Sequence, residues 1–464
     1  MTRRIISVLV CLLLCLGAGA FWLVLGAAPV AAGPLPTWYL AEGSTAWGFG
    51  TYINIENPNP VDVQIRVTYM TDLGPLIQPD FMMAATSRVT INPFLSVGQR
   101  DFSTKVECVG GQTIAVDREM FWMGGPGSEL EQNMETHSSV GVTAASNTWY
   151  LPEGSSAWGF ETWLLVQNPT AVPTTCTITY MIEGFGPFPV NKVVPANSRA
   201  TYNMAHDIGS ADASIQVVAD QQVICERAMY RDSRRMGHDS IGATMPTGSF
   251  YLAEGTTAWG FTTYLLIQNP SGVNNHITVT YMKPGGAVVM PSFIMAPQTR
   301  KTIRVNDEQP NTDLSIKVSG NVPLLAERAM YWGAGTVWGE VGHDSIGVDQ
   351  PHAIWYMPGG SYESLHETWT LVQNPNAVDV NIDITYYSEG GGPGMTLNRV
   401  VPANSRRSYN LADSGLAPGR YAIRARTLTP GQNIICERAT YIWTEAGSLS
   451  ARTAGEETIG AWDD

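Results

Sequence analysis

A chain of 464 residues is too long for one ordinary core, so several domains are expected. Its 44% hydrophobic and 15% charged content excludes a disordered chain. A net charge of −14 with no basic cluster excludes a nucleic-acid partner, because nothing is gathered to neutralise phosphates.

At the N-terminus, Arg3 and Arg4 precede an uncharged run from Ile5 to Pro36, dense in Leu, Val, Ala and Gly. Residues 1–36 read as a secretory signal with cleavage after Val30–Ala32, or, uncleaved, as a membrane anchor through residues 5–32. The rest of the chain is then extracellular or displayed at the cell surface. Cys11 and Cys15 fall inside this segment. Cys108, Cys176, Cys225 and Cys436 have no regular spacing, so no disulfide framework is expected. Cys176 and Cys225 are the one pair that a single unit could form. Three of the four stand where other units carry small apolar residues, which favours buried thiols.

Internal repetition dominates residues 37–464. "WYLAEGSTAWGF" at Trp38 returns as "WYLPEGSSAWGF" at Trp149 and "FYLAEGTTAWGF" at Phe250, with a degenerate "WYMPGGSYESLHET" at Trp355. The units are 37–147, 148–248, 249–353 and 354–464. After each opening comes a β-branched and aromatic run that ends on Asn57-Pro58, Asn168-Pro169, Asn269-Pro270 or Asn374-Pro375. Proline cannot continue a central ladder, so these pairs end a strand. Further runs with period-two alternation lead to "VDREMFW", "CERAMYR", "AERAMYW" or "CERATYI", and each unit closes on "HSSVG", "HDSIG", "HDSIG" or "EETIG". Seven or eight short strands per roughly 100 residues predict an all-β protein of four tandem antiparallel β-sandwich units, immunoglobulin-like in architecture. A propeller with two blades per unit is the weaker alternative. The connectors 142–148, 243–249 and 348–354 are all of one length, which predicts a repeated geometry and an elongated rod.

The opening motif, the "QNP" strand end, the "ERAMYW" strand and the "GHDSIG" close together resemble a tandem secreted module of bacterial envelope and extracellular proteins. That resemblance covers 37–464. It implies export and a surface setting, but no activity.

Four polar positions recur: the opening Glu, the acidic-Arg pair, the Arg after the Pro-Ala-Asn turn, and the closing His. His137 precedes Glu153 by 16 residues and His238 precedes Glu254 by the same 16, as a metal or acid–base pair at each junction would require. Glu42 has no His before it, and His343 faces Gly359. His137, His238 and His343 are therefore read as hydrogen-bonded junction turns. Glu42, Glu153 and Glu254 are expected to form structural ion pairs with Arg118, Arg227 and Arg328, tying the first strand to the penultimate one. In the last unit Glu363 or Glu367 is the expected partner of Arg438. The "HDSIG" segments do not match a nucleophile elbow, whose Gly stands two residues before Ser. Acidic loops such as Asn306–Asp313 offer oxygen ligands for calcium, but without a common spacing. No other cofactor is indicated.

Trp47, Trp158 and Trp259 invite two readings: stacking on sugar rings, or covering the junction with a neighbouring unit. The expected function is that of an exported, non-enzymatic spacer, scaffold or adhesive, with envelope polysaccharide or another surface protein as partner. The alternative is a multivalent glycan-binding protein that uses the Trp loops.

Overall fold

The computed structural model describes residues 35–123, 134–334, 339–363, 365–443 and 452–463. Nearly all of the expected signal or anchor segment, with Cys11 and Cys15, lies outside them. Among the described residues no helix is long and apolar enough to cross a membrane.

The protein is all-β, with antiparallel pairing throughout its sheets. The opening strands are Thr37–Leu40, Ser146–Leu151, Thr247–Leu252 and Ile354–Met357. In the first unit the opening strand lies in a five-stranded sheet. The second sheet joins Phe49–Asn57, Ala115–Met123 and Met134–Val140. In the two middle units one long strand, Ala213–Arg231 or Ser315–Trp332, runs through both layers. The outer units break this strand at Gly111 (φ 79°) and Gly431 (φ 70°), a left-handed conformation that glycine adopts without a Cβ penalty.

Alternation along the strands fills the space between the layers. The first aromatic of each opening, Trp38, Trp149, Phe250 or Trp355, is buried. Three of these carry an indole N–H, which donates to the carbonyls of Ile114 (2.7 Å), Val223 (2.8 Å) and Ile434 (2.8 Å). A buried indole N–H needs such a partner. At the Asn-Pro strand ends the Asn side chain closes the turn itself; Asn57 Nδ2 donates to Val61 O at 3.0 Å and to Ala84 O at 2.7 Å. Cys108, Cys176, Cys225 and Cys436 are buried free thiols, and burial pushes the Cys176 thiol up to about 11.

The units do not form a rod. Their closing strands, Met134–Val140, Met236–Ile241, Val341–Ile346 and Arg452–Ile459, pack side by side about a common axis, the first against the second and the fourth, the third against the same two. Hydroxyl groups stitch this axis: the Ile346 N–H donates to Ser240 Oγ at 3.1 Å and the Val140 N–H to Thr458 Oγ1 at 2.8 Å. Equal connectors do impose a repeated geometry. The rotation per step, which connector length does not reveal, is a quarter turn, and a head-to-tail interface with that rotation closes after four copies.

Candidate functional site

The acidic-Arg strand builds the joints. Successive residues of a strand leave opposite faces, so Glu226 reaches back to the first unit while Arg227 reaches forward to the third. Arg118 Nη1 lies 2.9 Å from Glu226, Arg227 Nη1 3.1 Å from Glu327, and Arg328 Nη1 2.8 Å from Glu437. The other guanidinium nitrogen engages the next unit's closing strand, at Asp239, Asp344 and Glu457 in turn. The same nitrogen lies near the opening Glu of its own unit: Glu42 at 3.2 Å, Glu153 at 3.4 Å and Glu254 at 3.9 Å. All four of these arginines, Arg438 included, are fully or almost fully buried. A buried charge costs several kcal/mol unless it is paired and hydrogen-bonded, so each joint is held by mutual dependence.

The Arg after the Pro-Ala-Asn turn is a second staple, donating to the backbone of the preceding unit. Arg199 Nη1 meets Gly43 O at 2.8 Å and Phe102 O at 3.0 Å, Arg300 Nη1 meets Gly154 O at 2.8 Å, and Arg406 Nη1 meets Leu314 O at 3.1 Å.

The histidines are not paired with the Glu that follows 16 residues later. His137 faces Glu42 of its own unit and Asp239 of the next, His238 faces Glu153 and Asp344, and His343 faces Glu254 and Glu457. This accounts for both exceptions to the spacing: Glu42 has His137, and His343 has Glu254. Nor are they turn residues, since each lies within a closing strand. Each Nδ1 meets the acid of the next unit, at 2.6, 3.0 and 3.1 Å. Each Nε2 meets a tyrosine hydroxyl of the next unit: Tyr230 at 3.2 Å, Tyr331 at 2.9 Å and Tyr441 at 3.1 Å. Tyr441 in turn donates to Glu254 Oε1 at 3.1 Å.

Burial pulls the His137 and His238 imidazoles down, but Asp239 and Asp344 outweigh it and the net shift is upward. For His343 burial prevails, helped by Arg328 and only partly offset by Glu254, and it falls to about 4. Glu42 is raised by burial against the pull of Arg118. The Glu, His and acid of each joint lie close enough to share a metal, yet a guanidinium already sits against the acid of the same group. A cation in that place would face a buried Arg, so the residues do not suit a metal.

Above each of these three joints opens a cleft. The first, about 280 Å³, is lined by Glu42, Trp47, Phe49, Asp101, Trp163 and Tyr230 among others. The second, about 380 Å³, has Glu153, Trp158, Phe160, Asp212, Tyr264 and Tyr331. The third, about 350 Å³, has Glu254, Trp259, Phe261, Asp313, Trp369 and Tyr441. Trp47, Trp158 and Trp259 are 80%, 74% and 65% exposed. They stand on the rim at φ 58°, 58° and 59°, a conformation costly for a bulky side chain. Each belongs to a tight turn closed by the N–H of Phe49, Phe160 or Phe261 on the carbonyl of Ala46, Ala157 or Ala258, at 2.9, 2.9 and 3.0 Å. The corresponding turn of the last unit, His366 N–H to Glu363 O at 2.8 Å, holds Leu365 at φ 69°.

The fourth joint, between the last unit and the first, is built differently. Arg438 Nη1 meets Glu456 at 2.6 Å and its Nη2 lies 3.4 Å from Asp117. Glu363 and Glu367 do not reach it; they pair with Arg420 at 3.2 Å and Arg452 at 3.0 Å. In register, Glu456 stands where the other units have His, Ser138 where they have an acid, and Phe121 where they have Tyr. The remaining cavity is about 30 Å³ and is lined mostly by polar groups, among them Arg88, Glu119, His366 and Glu456.

The four joints therefore act as an internal comparison. Both arginine staples persist at all four, with Arg88 donating to Gly360 O at 3.0 Å in the last. Among the described residues the Glu, His and Tyr, together with the rim Trp and Asp, come together at three joints only, and the cavity at the fourth is about a tenth the size of the others. The rim acids Asp101, Asp212 and Asp313 follow the opening Glu by 59 residues each time, and that constant spacing was the signal available for them. In the last unit the two positions hold Gly359 and Pro418. The acids of the third unit's loop do not converge on a calcium site: Asp313 lines the cleft, Glu308 accepts from Tyr281 at 2.6 Å, and Asp307 pairs with Arg304 at 3.1 Å.

No family model matches the chain, and no curated protein matches it either. Among solved structures it is similar to Thermotoga maritima 1070, with 16% identity over 22% of this chain and 93% of that one, at a TM-score of 0.20. It is also similar to the Anabaena sensory rhodopsin transducer, with 19% identity over 18% and 96% of the two chains, at 0.17. A tetra-tandem repeat from the extending region of a large adhesion protein aligns over 93% and 100% of the two chains, at 10% identity and a TM-score of 0.11. Likeness at this level carries no argument about function.

Proposed function

We propose that this chain is an exported, non-enzymatic, trivalent glycan-binding ring that works at the cell surface. The observation that carries the reading is the exposed Trp on the rim of each of three equivalent clefts, absent from the joint whose cavity is small. An indole face beside carboxylates suits a sugar ring, which offers C–H groups to the aromatic and hydroxyls to the acids. Three sites on one rigid body suit a repetitive polymer such as envelope polysaccharide, because simultaneous engagement multiplies weak single-site affinities. The arginine-led apolar N-terminus and the likeness to a secreted envelope module support export. Closure into a ring argues against a spacer, since four units then extend no further than two.

A glycan array tests the reading. Binding that weakens stepwise in Trp47→Ala, Trp158→Ala and Trp259→Ala, and vanishes in the triple variant, is the expected result. Binding that survives the triple variant would sink it, and no binding to any glycan would return the chain to a scaffold or an adhesive for another surface protein.

A further inference from the structure

Each cleft already holds a cation on its aromatic wall. The Arg234 guanidinium lies 5.7 Å from the Phe49 ring and 5.5 Å from Tyr230 in the first cleft. Arg231 lies 5.1 Å from Phe160 in the second. Arg452 lies 4.3 Å from Tyr441 and 5.8 Å from Phe261 in the third. Arg234 and Arg452 are equivalent in the repeat, each four residues before the closing His position. Each accepts at its carbonyl from the indole N–H of the preceding unit, Trp122 at 2.7 Å and Trp332 at 3.1 Å. Arg231, which ends a long strand, comes from a different position. Two different positions of the repeat thus bring a guanidinium onto the aromatic wall. The common factor is the cleft, whose electron-rich faces and acids attract positive charge.

The other charges agree. Each cleft carries an opening Glu and a rim Asp, and a further Glu pairs with the capping Arg: Glu161 at 3.7 Å, Glu340 at 2.6 Å and Glu367 at 3.0 Å. The second arginine of each cleft, Arg199, Arg300 or Arg406, spends Nη1 on backbone carbonyls. The rim Asp is within reach of the stacking surface, as the Trp158 indole N–H lies 3.2 Å from Asp212 Oδ2.

Building on the glycan reading, we infer that the clefts select amino sugars carrying a free, protonated amine over neutral or acidic sugars. The pyranose face stacks on the rim Trp, and the ammonium group meets the rim Asp and the aromatic wall that a guanidinium now covers.

The test is a titration of the full chain, followed by Trp fluorescence and calorimetry, with three tetrasaccharides: β-1,4-linked glucosamine, its fully N-acetylated counterpart, and galacturonate. The glucosamine oligomer should bind with three sites per chain, at least about 10-fold more tightly than either other sugar. Its affinity should fall with added salt and as its amines lose their protons. The triple variant Asp101→Asn, Asp212→Asn, Asp313→Asn should lose about 10-fold more affinity for glucosamine than for the N-acetylated oligomer, whose hydroxyls an Asn oxygen still accepts. The single variant Asp212→Asn, with one site weakened of three, supplies the same reading if the triple variant does not fold. Equal or tighter binding of the N-acetylated or acidic oligomer overturns the inference. If that binding still depends on the rim Trp, the glycan reading survives it; if none of the three sugars binds, the inference falls and the glycan array alone decides the reading it rests on.

Discussion

The backbone N–H of Gly359 donates to Asp117 Oδ2 at 2.8 Å, across 242 residues of sequence. The same bond recurs from Glu153 to Glu327 at 2.9 Å and from Glu254 to Glu437 at 2.7 Å, and Glu42 donates likewise to Glu226. Each unit thus offers the N–H of its opening to the acid of the next, and the last unit offers it to the first. Gly359 is where the series closes. A Cβ there would lie 2.8 Å from Arg438 Nη2 and 2.9 Å from Asp117 Oδ2, so a side chain would displace one of the two charged groups from its present place.

Closure has a solution signature. A compact chain of this size has a radius of gyration of roughly 22 Å, and four units laid end to end would give about twice that. Small-angle scattering should return the lower value with a nearly isotropic envelope. An elongated envelope would mean that the fourth joint does not form.

The joints should respond unequally to charge removal. Arg227→Ala strands Glu153, Glu327 and Asp344 in a buried site, where an unpaired charge costs about 3–5 kcal/mol. The melting temperature should drop by about 3–5 °C. Arg66→Ala removes a pair to Asp80 whose arginine side chain is 40% exposed, where solvent screens the charges, so the melt should barely move. Thermal melts of the two variants, side by side, check the contrast.

How far the sequence foretells this arrangement can be judged residue by residue. Strand runs, turn prolines and the all-β class follow from period and composition, because those depend on local chemistry. The buried arginines were legible as well, since four copies of one charge in a β-rich strand must find partners. Of their partners the opening Glu of the same unit was legible, as Glu42 is for Arg118; Asp239 and Glu226 were not, because they come from the next unit and sequence distance hides them. The His–Glu spacing of 16 carries no pairing for the same reason, and the histidines lie in closing strands and not in the turns expected for them: chain neighbours across a connector are not the spatial neighbours across a joint. Tyr230 reads as one more core aromatic until the ring places its hydroxyl on His137. Asp101 could have been found by asking which residues the degenerate unit lost together.

The histidines should give opposite pH dependences. His238 is raised in the folded chain, so its stabilising effect is complete below the ordinary value of about 6.5 and is lost as pH climbs through the folded value. The stability deficit of His238→Gln should therefore be largest in mild acid and shrink towards pH 9. His343 is depressed to about 4, so the wild-type chain weakens as pH falls from about 6.5 towards 4, where the unfolded state takes up a proton that the folded state refuses. The deficit of His343→Gln should shrink in that direction instead. Urea titrations at four pH values between 4 and 9 separate the two; parallel deficits would mean that the two joints share one charge state.

Substitution at the cleft rim should separate binding from stability. Trp158 sits at φ 58° with most of its surface in solvent, so little burial is lost when it is removed. The left-handed conformation costs a non-glycine residue about 1–2 kcal/mol, and glycine adopts it freely. The unfolded chain gains entropy from a glycine, which offsets part of that relief. Trp158→Gly should therefore melt within about 2 °C of the wild type, while Trp158→Ala keeps the strain, loses the ring and melts no higher. A fold that needed this indole as a junction cover would instead lose several degrees in both variants. Both should bind one ligand fewer per chain than the wild type. Differential scanning calorimetry paired with binding stoichiometry makes the distinction, because a residue kept for its surface changes the second quantity and not the first.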